Sequence, residues 1–106
     1  MKTIQEKSKI IAEWLNWDIN IKWRGNIETF QTQFGFVEQY SFNSNFNWQL
    51  LCFKQIQKEL QTLTSEKVSL PFAISHLENF KEDLISEEDI FEAIYLYAKE
   101  TLKYRK

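Results

Sequence analysis

An α+β fold, a small antiparallel or mixed β-sheet with three helices, is predicted by three stretches of the chain. The run from Ser44 to Leu63 gathers Trp48, Cys52, Ile56, Leu60 and Leu63 on one helical face, with Phe46 and Phe53 at its margin. Residues 18 to 24 instead alternate with a period of two and lead straight into Gly25-Asn26, the pattern of a strand entering a tight hairpin. Ser86-Glu-Glu-Asp then opens a last amphipathic run, which ends among lysines.

In chain order, residues 3 to 16 read as the first helix, with Ile4, Ile11 and Leu15 in line and Ile10, Ala12 and Trp14 beside them. From Asp18 the alternation sets Ile19, Ile21 and Trp23 against Asn20, Lys22 and Arg24, which predicts a half-buried strand. Beyond the Gly-Asn turn, Phe30, Thr32, Phe34, Phe36, Tyr40 and Phe42 share one phase. The returning segment is therefore expected to hold its rings on one side, with Gly35 as a bulge or a break between two strands.

Ser44 or Asn45 supplies the cap of the central helix, since either side-chain oxygen can accept from a free first-turn N–H. After it, Val68, Leu70, Phe72 and Ile74 alternate with polar or small residues. Pro71 donates no ladder hydrogen bond, so this reads as an edge strand or a strand interrupted by a turn. Residues 76 to 85 hold a short strand, a helical turn or a loop. The last helix follows, with Ile90, Phe91, Ile94, Ala98 and Leu102 on its core face and Tyr95 at the margin. If the helices divide between both faces of the sheet, the result is an α/β/α sandwich; periodicity does not decide the division.

At 106 residues the chain fits a single compact domain, spanning 1–106. Hydrophobic residues at 43% and charged residues at 26% place it among folded globular domains. Aromatic residues reach 16%, so some rings are expected at the surface. The single Cys52 makes no internal disulfide, the start MKTIQEKSK lacks the apolar core of a signal peptide, and no run has the length of a membrane span. A cytoplasmic protein is the expectation.

The net charge of −2 is unevenly placed. Across residues 66 to 92, Glu66, Glu78, Glu82, Asp83, Glu87, Glu88, Asp89 and Glu92 stand against Lys67 and Lys81, and from Ala93 onward the sign reverses, with Lys99, Lys103, Arg105 and Lys106 against Glu100. No basic stripe is visible, so direct sequence-specific nucleic-acid binding is not expected. Abundant Ile, Asn, Lys and Phe with few Gly and Pro fit an AT-rich bacterial or phage genome.

Three segments, IIAEWLNW at 10–17, SNFNWQLLCFKQIQKEL at 44–60 and IFEAIYLYAKETLKY at 90–104, together resemble the phage ABA sandwich domain family. They recur in that family's order at similar spacing and span most of the chain. The resemblance implies an α-β-α sandwich from a mobile element, and it brings no catalytic motif. The chain departs from it between the last two helices, where Pro71 and the acidic stretch blur the second strand of an expected pair. The chain as a whole also resembles small anti-CRISPR proteins against RNA-targeting, type VI effector nucleases. That resemblance implies a non-enzymatic inhibitor whose partner is the nuclease or its guide-RNA complex.

The chemistry written in the residues is sparse. No CxxC, HExxH, P-loop or GxGxxG pattern occurs, so no metal, nucleotide or other cofactor is expected. His76 lacks a recognisable catalytic partner and reads as structural. Cys52 lies on the apolar helix face and reads as a small core residue. Two candidate contact surfaces remain. Glu82, Asp83, Glu87, Glu88 and Asp89 either imitate a nucleic-acid backbone or form a solvated loop and ordinary helix-start charges. Tyr40, Phe42 and Phe46 either anchor a protein partner or close the sheet edge over the core. Leu51 and Leu96 break their helices' patterns and mark weaker contact positions.

Overall fold

The computed structural model describes residues 2–64 and 87–105. They form α1 (Ile4–Trp14), β1 (Lys22–Arg24), β2 (Ile27–Thr32), β3 (Gly35–Val37), α2 (Phe46–Thr64) and α3 (Glu87–Arg105). The class is α+β, with three helices and an antiparallel sheet of order β1-β2-β3 among the described residues. The expected strand at Val68–Ile74, Pro71, the 76–85 segment, His76 and the Ser86 cap all lie outside the described residues, as do the side chains of Leu63 and Glu87.

Local chemistry fixes both ends of α1. Thr3 caps it by accepting from the Glu6 N–H at 3.1 Å, while the Glu6 carboxylate reaches back to the Thr3 N–H. Both partners of this capping box stand in the sequence at the required spacing. At the other end Asn16 adopts φ 64, Trp17 N–H donates to the Ala12 carbonyl at 2.9 Å and Asn16 N–H to Glu13 at 3.0 Å. This is a Schellman closure with asparagine at its left-handed position. It turns Trp17 back toward the core. Asn16→Gly is expected to leave stability within about 0.5 kcal/mol, whereas the β-branched Asn16→Val should cost about 1–2 kcal/mol in urea unfolding. A neutral valine would show that this closure contributes nothing.

The strand expected at 18–24 forms only over Lys22–Arg24. The cause is Asp18, which accepts from the Asn20 N–H at 2.9 Å and pairs with Lys22 Nζ at 2.9 Å, bending the chain at Asn20. These same contacts, led by the Lys22 hydrogen bond, hold the Asp18 carboxyl below its ordinary value. The expected half-burial also fails beyond Ile19, because Ile21 and Trp23 are exposed.

The shared phase of rings from Phe30 to Phe42 breaks at a second hairpin. Gln33 and Phe34 form its turn, and Gly35 follows with φ 106, a conformation suited to glycine. The Thr32 hydroxyl braces this turn, accepting from the Phe34 N–H at 3.0 Å and donating to the Gly35 carbonyl at 2.8 Å. Reversal pairs Phe30 with Val37 and Gln31 with Phe36. Phe36 therefore lies on the face opposite Phe30, although the two residues share parity.

Asn45, one of the two candidates, caps α2: its Oδ1 accepts from the Asn47 N–H at 2.9 Å. Trp48, Cys52, Phe53 and Ile56 are buried as the periodicity requires, Leu60 packs beside them, and Phe46 is exposed. On α3, Ile90, Phe91, Ala93, Ile94, Tyr95 and Ala98 are buried and Leu102 packs partly against them. The last helix packs along α1 and also touches α2. The core thus lies between helices, and the sheet joins it through side chains.

That junction is aromatic. Phe42, fully buried, stacks on Trp17 at 5.4 Å and meets the Trp48 edge at 5.0 Å. Tyr40 stacks on Phe30 at 4.8 Å, and Trp48 on Phe34 at 5.3 Å. Gln5 of α1 clasps the Tyr40 backbone, accepting its N–H at 3.0 Å and donating to its carbonyl at 3.2 Å, while buried Gln49 donates to the Phe42 carbonyl at 2.9 Å. Two glutamines thereby satisfy the backbone of a non-strand segment drawn into the core.

Candidate functional site

The residues expected to make contacts divide sharply. Tyr40 and Phe42 lie inside, so the reading that makes them surface anchors is corrected. Their rings close the junction of sheet and helices, and no partner can reach them without opening it. Burial, followed by the negative charge of Asp18, pushes the Tyr40 phenol up to about 12. Phe46 is 57% exposed and Leu51 half-buried. Glu88 and Asp89 are exposed in the first turn of α3, the place the helix dipole favours for acids. Glu82 and Asp83 lie outside the described residues.

Cys52 is a free, fully buried thiol that burial pushes above its ordinary value, the reverse of what a nucleophile needs. Among the described residues no group of three or more His, Cys, Asp or Glu is placed to hold a metal ion. A groove of about 610 Å³ between α2 and α3 has Gln55, Lys58, Glu59, Tyr97 and Tyr104 on its walls. Its carboxylate is occupied with structure: Glu59 Oε1 accepts from the indole N–H of buried Trp14 at 2.9 Å, and Oε2 from the Tyr97 hydroxyl at 3.0 Å. One side chain of α2 thus ties α1 and α3 together.

The exposed apolar groups concentrate on the β1–β2 hairpin and its neighbour β3. Trp23 is 64% exposed, Ile27 50% and Phe36 46%, with Ile21 equally open. Strand register distributes them: Trp23 pairs with Glu28 on one face, while Arg24, Ile27 and Phe36 share the other. The Arg24 guanidinium lies over the Phe36 ring at 4.5 Å, a cation–π contact. Gly25, with φ 65 at the first turn position, closes the hairpin at the minimum length and sets Trp23 and Arg24 at its outer corner.

The outer end of this ribbon, from Trp23 to Glu28, is exposed; farther along β2, Thr29 and Thr32 are buried and Phe30 packs against the core. Trp and Arg at its outer corner are the residue types that most often carry binding energy at interfaces. Sequence patterning places Trp23 in the buried phase because it continues Ile19 and Ile21. The available signal for the opposite conclusion is that Lys22 and Arg24 flank it one step before a tight turn. Arg24, Ile27 and Phe36 become neighbours only through the two turns, so no linear pattern marks them.

Among the described residues no helix is long and apolar enough to cross a membrane. Comparisons of the chain with protein-family models, with curated proteins and with solved structures find no match.

Proposed function

We propose that this protein is a non-enzymatic, phage- or prophage-derived inhibitor that binds a bacterial defence effector in the host cytoplasm through its outer hairpin. In its most concrete form the partner is an RNA-guided type VI nuclease or its guide-RNA complex, and the activity is anti-CRISPR. The observation that supports a binding role is the exposure of Trp23, Ile27 and Phe36 around Arg24, at the outer end of the hairpin. The choice of partner rests on the sequence resemblances of residues 10–17, 44–60 and 90–104 and of the chain as a whole.

The test measures target-RNA cleavage by type VI effectors with the protein in excess. Wild type is expected to suppress cleavage and to be captured on the effector. Trp23→Ala should weaken capture by about 2 kcal/mol or more while the protein stays folded. Uninhibited cleavage by every effector tried, with no capture, would overturn the reading. A discrete oligomer without inhibition would favour a self-associating prophage domain instead.

A further inference from the structure

Among the described residues strand β1 is an edge of the sheet, and its backbone is oriented for a specific task. In an antiparallel pair closed by a two-residue loop, the residues flanking the loop, here Arg24 and Ile27, exchange the ladder hydrogen bonds. Alternation then makes Trp23–Glu28 the non-hydrogen-bonded pair, so the Trp23 N–H and carbonyl point away from β2. Among the described residues neither group has a backbone partner outside the ladder. The exposed Trp23 ring rises on one face of this edge, and Lys22 and Arg24 project on the other.

We infer that the β1 edge accepts an extended segment of the protein partner as an added strand, with an apolar residue opposite Trp23 and acidic residues on either side of it, opposite Lys22 and Arg24. This inference rests on the hairpin being the docking surface and specifies how it docks. Charge complementarity selects the occupant. A second copy added antiparallel about Trp23 would set Lys22 opposite Arg24 of its mate, a like-charge pair across strands. An acid–apolar–acid segment instead meets cations on one face and the indole on the other. Arg24 stacks on Phe36 and remains open to a carboxylate, while Lys22 can exchange Asp18, an exposed partner four residues away, for one on the added strand. The edge is short, so the main chain supplies only a few hydrogen bonds and side-chain complementarity supplies the rest.

The probe is a short fluorescein-labelled peptide of alternating glutamate and valine, compared with its lysine–valine counterpart on the full chain. Wild type is expected to bind the acidic peptide and not the basic one. Trp23→Ala removes the ring and keeps the outward N–H, whereas Trp23→Pro removes both and leaves the β1–β2 ladder whole. Proline should therefore bind about tenfold more weakly than alanine. The pair Lys22→Glu, Arg24→Glu should reverse the peptide preference and does not depend on the proline variant folding. No acidic-peptide binding, equal affinity for both peptides, or equal affinity of the alanine and proline variants would overturn strand addition. If effector capture were lost equally in the alanine and proline variants, docking through the hairpin would stand without it; capture insensitive to both would remove the docking surface itself.

Discussion

Phe42→Ala is expected to destabilise the protein by about 3–5 kcal/mol, measured by urea or thermal unfolding. Phe42 is fully buried, and its ring meets Trp17, Trp48 and Tyr40, which come from the turn after α1, from α2 and from the same extended segment. These rings are rigid and held by separate elements, so they cannot collapse into the space the missing ring leaves. The cost therefore combines lost burial with a cavity. The defect should also loosen the sheet, because Phe30 and Phe34 reach the helices through Tyr40 and Trp48. A loss below about 1 kcal/mol would mean that the aromatic junction does not hold sheet and helices together.

Glu59→Ala carries the second large effect, about 3 kcal/mol. The substitution withdraws the acceptor of the Trp14 indole N–H and that of the Tyr97 hydroxyl together. Trp14 is fully buried and packs edge-on against Tyr97 at 5.6 Å, so removing the carboxylate takes away a hydrogen bond made at the edge of the core. Glu59→Gln retains one carbonyl oxygen and should lose about half as much. Equal losses for glutamine and alanine would mean that carboxylate charge, rather than acceptor geometry, matters at this position.

The helices were legible because a wide apolar stripe on a helix has one place to go. The faces of α2 and α3 follow their periodicity from Trp48 to Leu60 and from Ile90 to Leu102. On α1 the buried line runs through Ser8, Ile11, Ala12 and Trp14, with Ile4 left outside at the first turn. The sheet was less legible, because parity survives only along an uninterrupted strand. The Asp18 turn shortened β1, and the Gln33-Phe34 turn with Gly35 moved Phe36 to the opposite face.

The candidate site was the least legible part. Tyr40 and Phe42 lie amid amides that resemble an interface in the sequence, yet Gln5 and Gln49 are the internal partners of that segment's backbone. Trp23 followed a buried parity into solvent. For Trp23 the reason is that long-range pairing, not local pattern, decides which side of a short ribbon faces the core; for Tyr40 and Phe42, of the two readings open in the sequence, the one that closes the core is what the structure has.

If the outer end of the hairpin serves binding, the Trp23 ring adds little to the core. The thermal unfolding midpoint of Trp23→Ala beside wild type decides this. With Trp23 64% exposed, the midpoint is expected to shift by the equivalent of no more than about 0.5 kcal/mol, as for surface positions generally. A loss approaching the about 3–5 kcal/mol expected of a buried ring would place Trp23 in the core and contradict it.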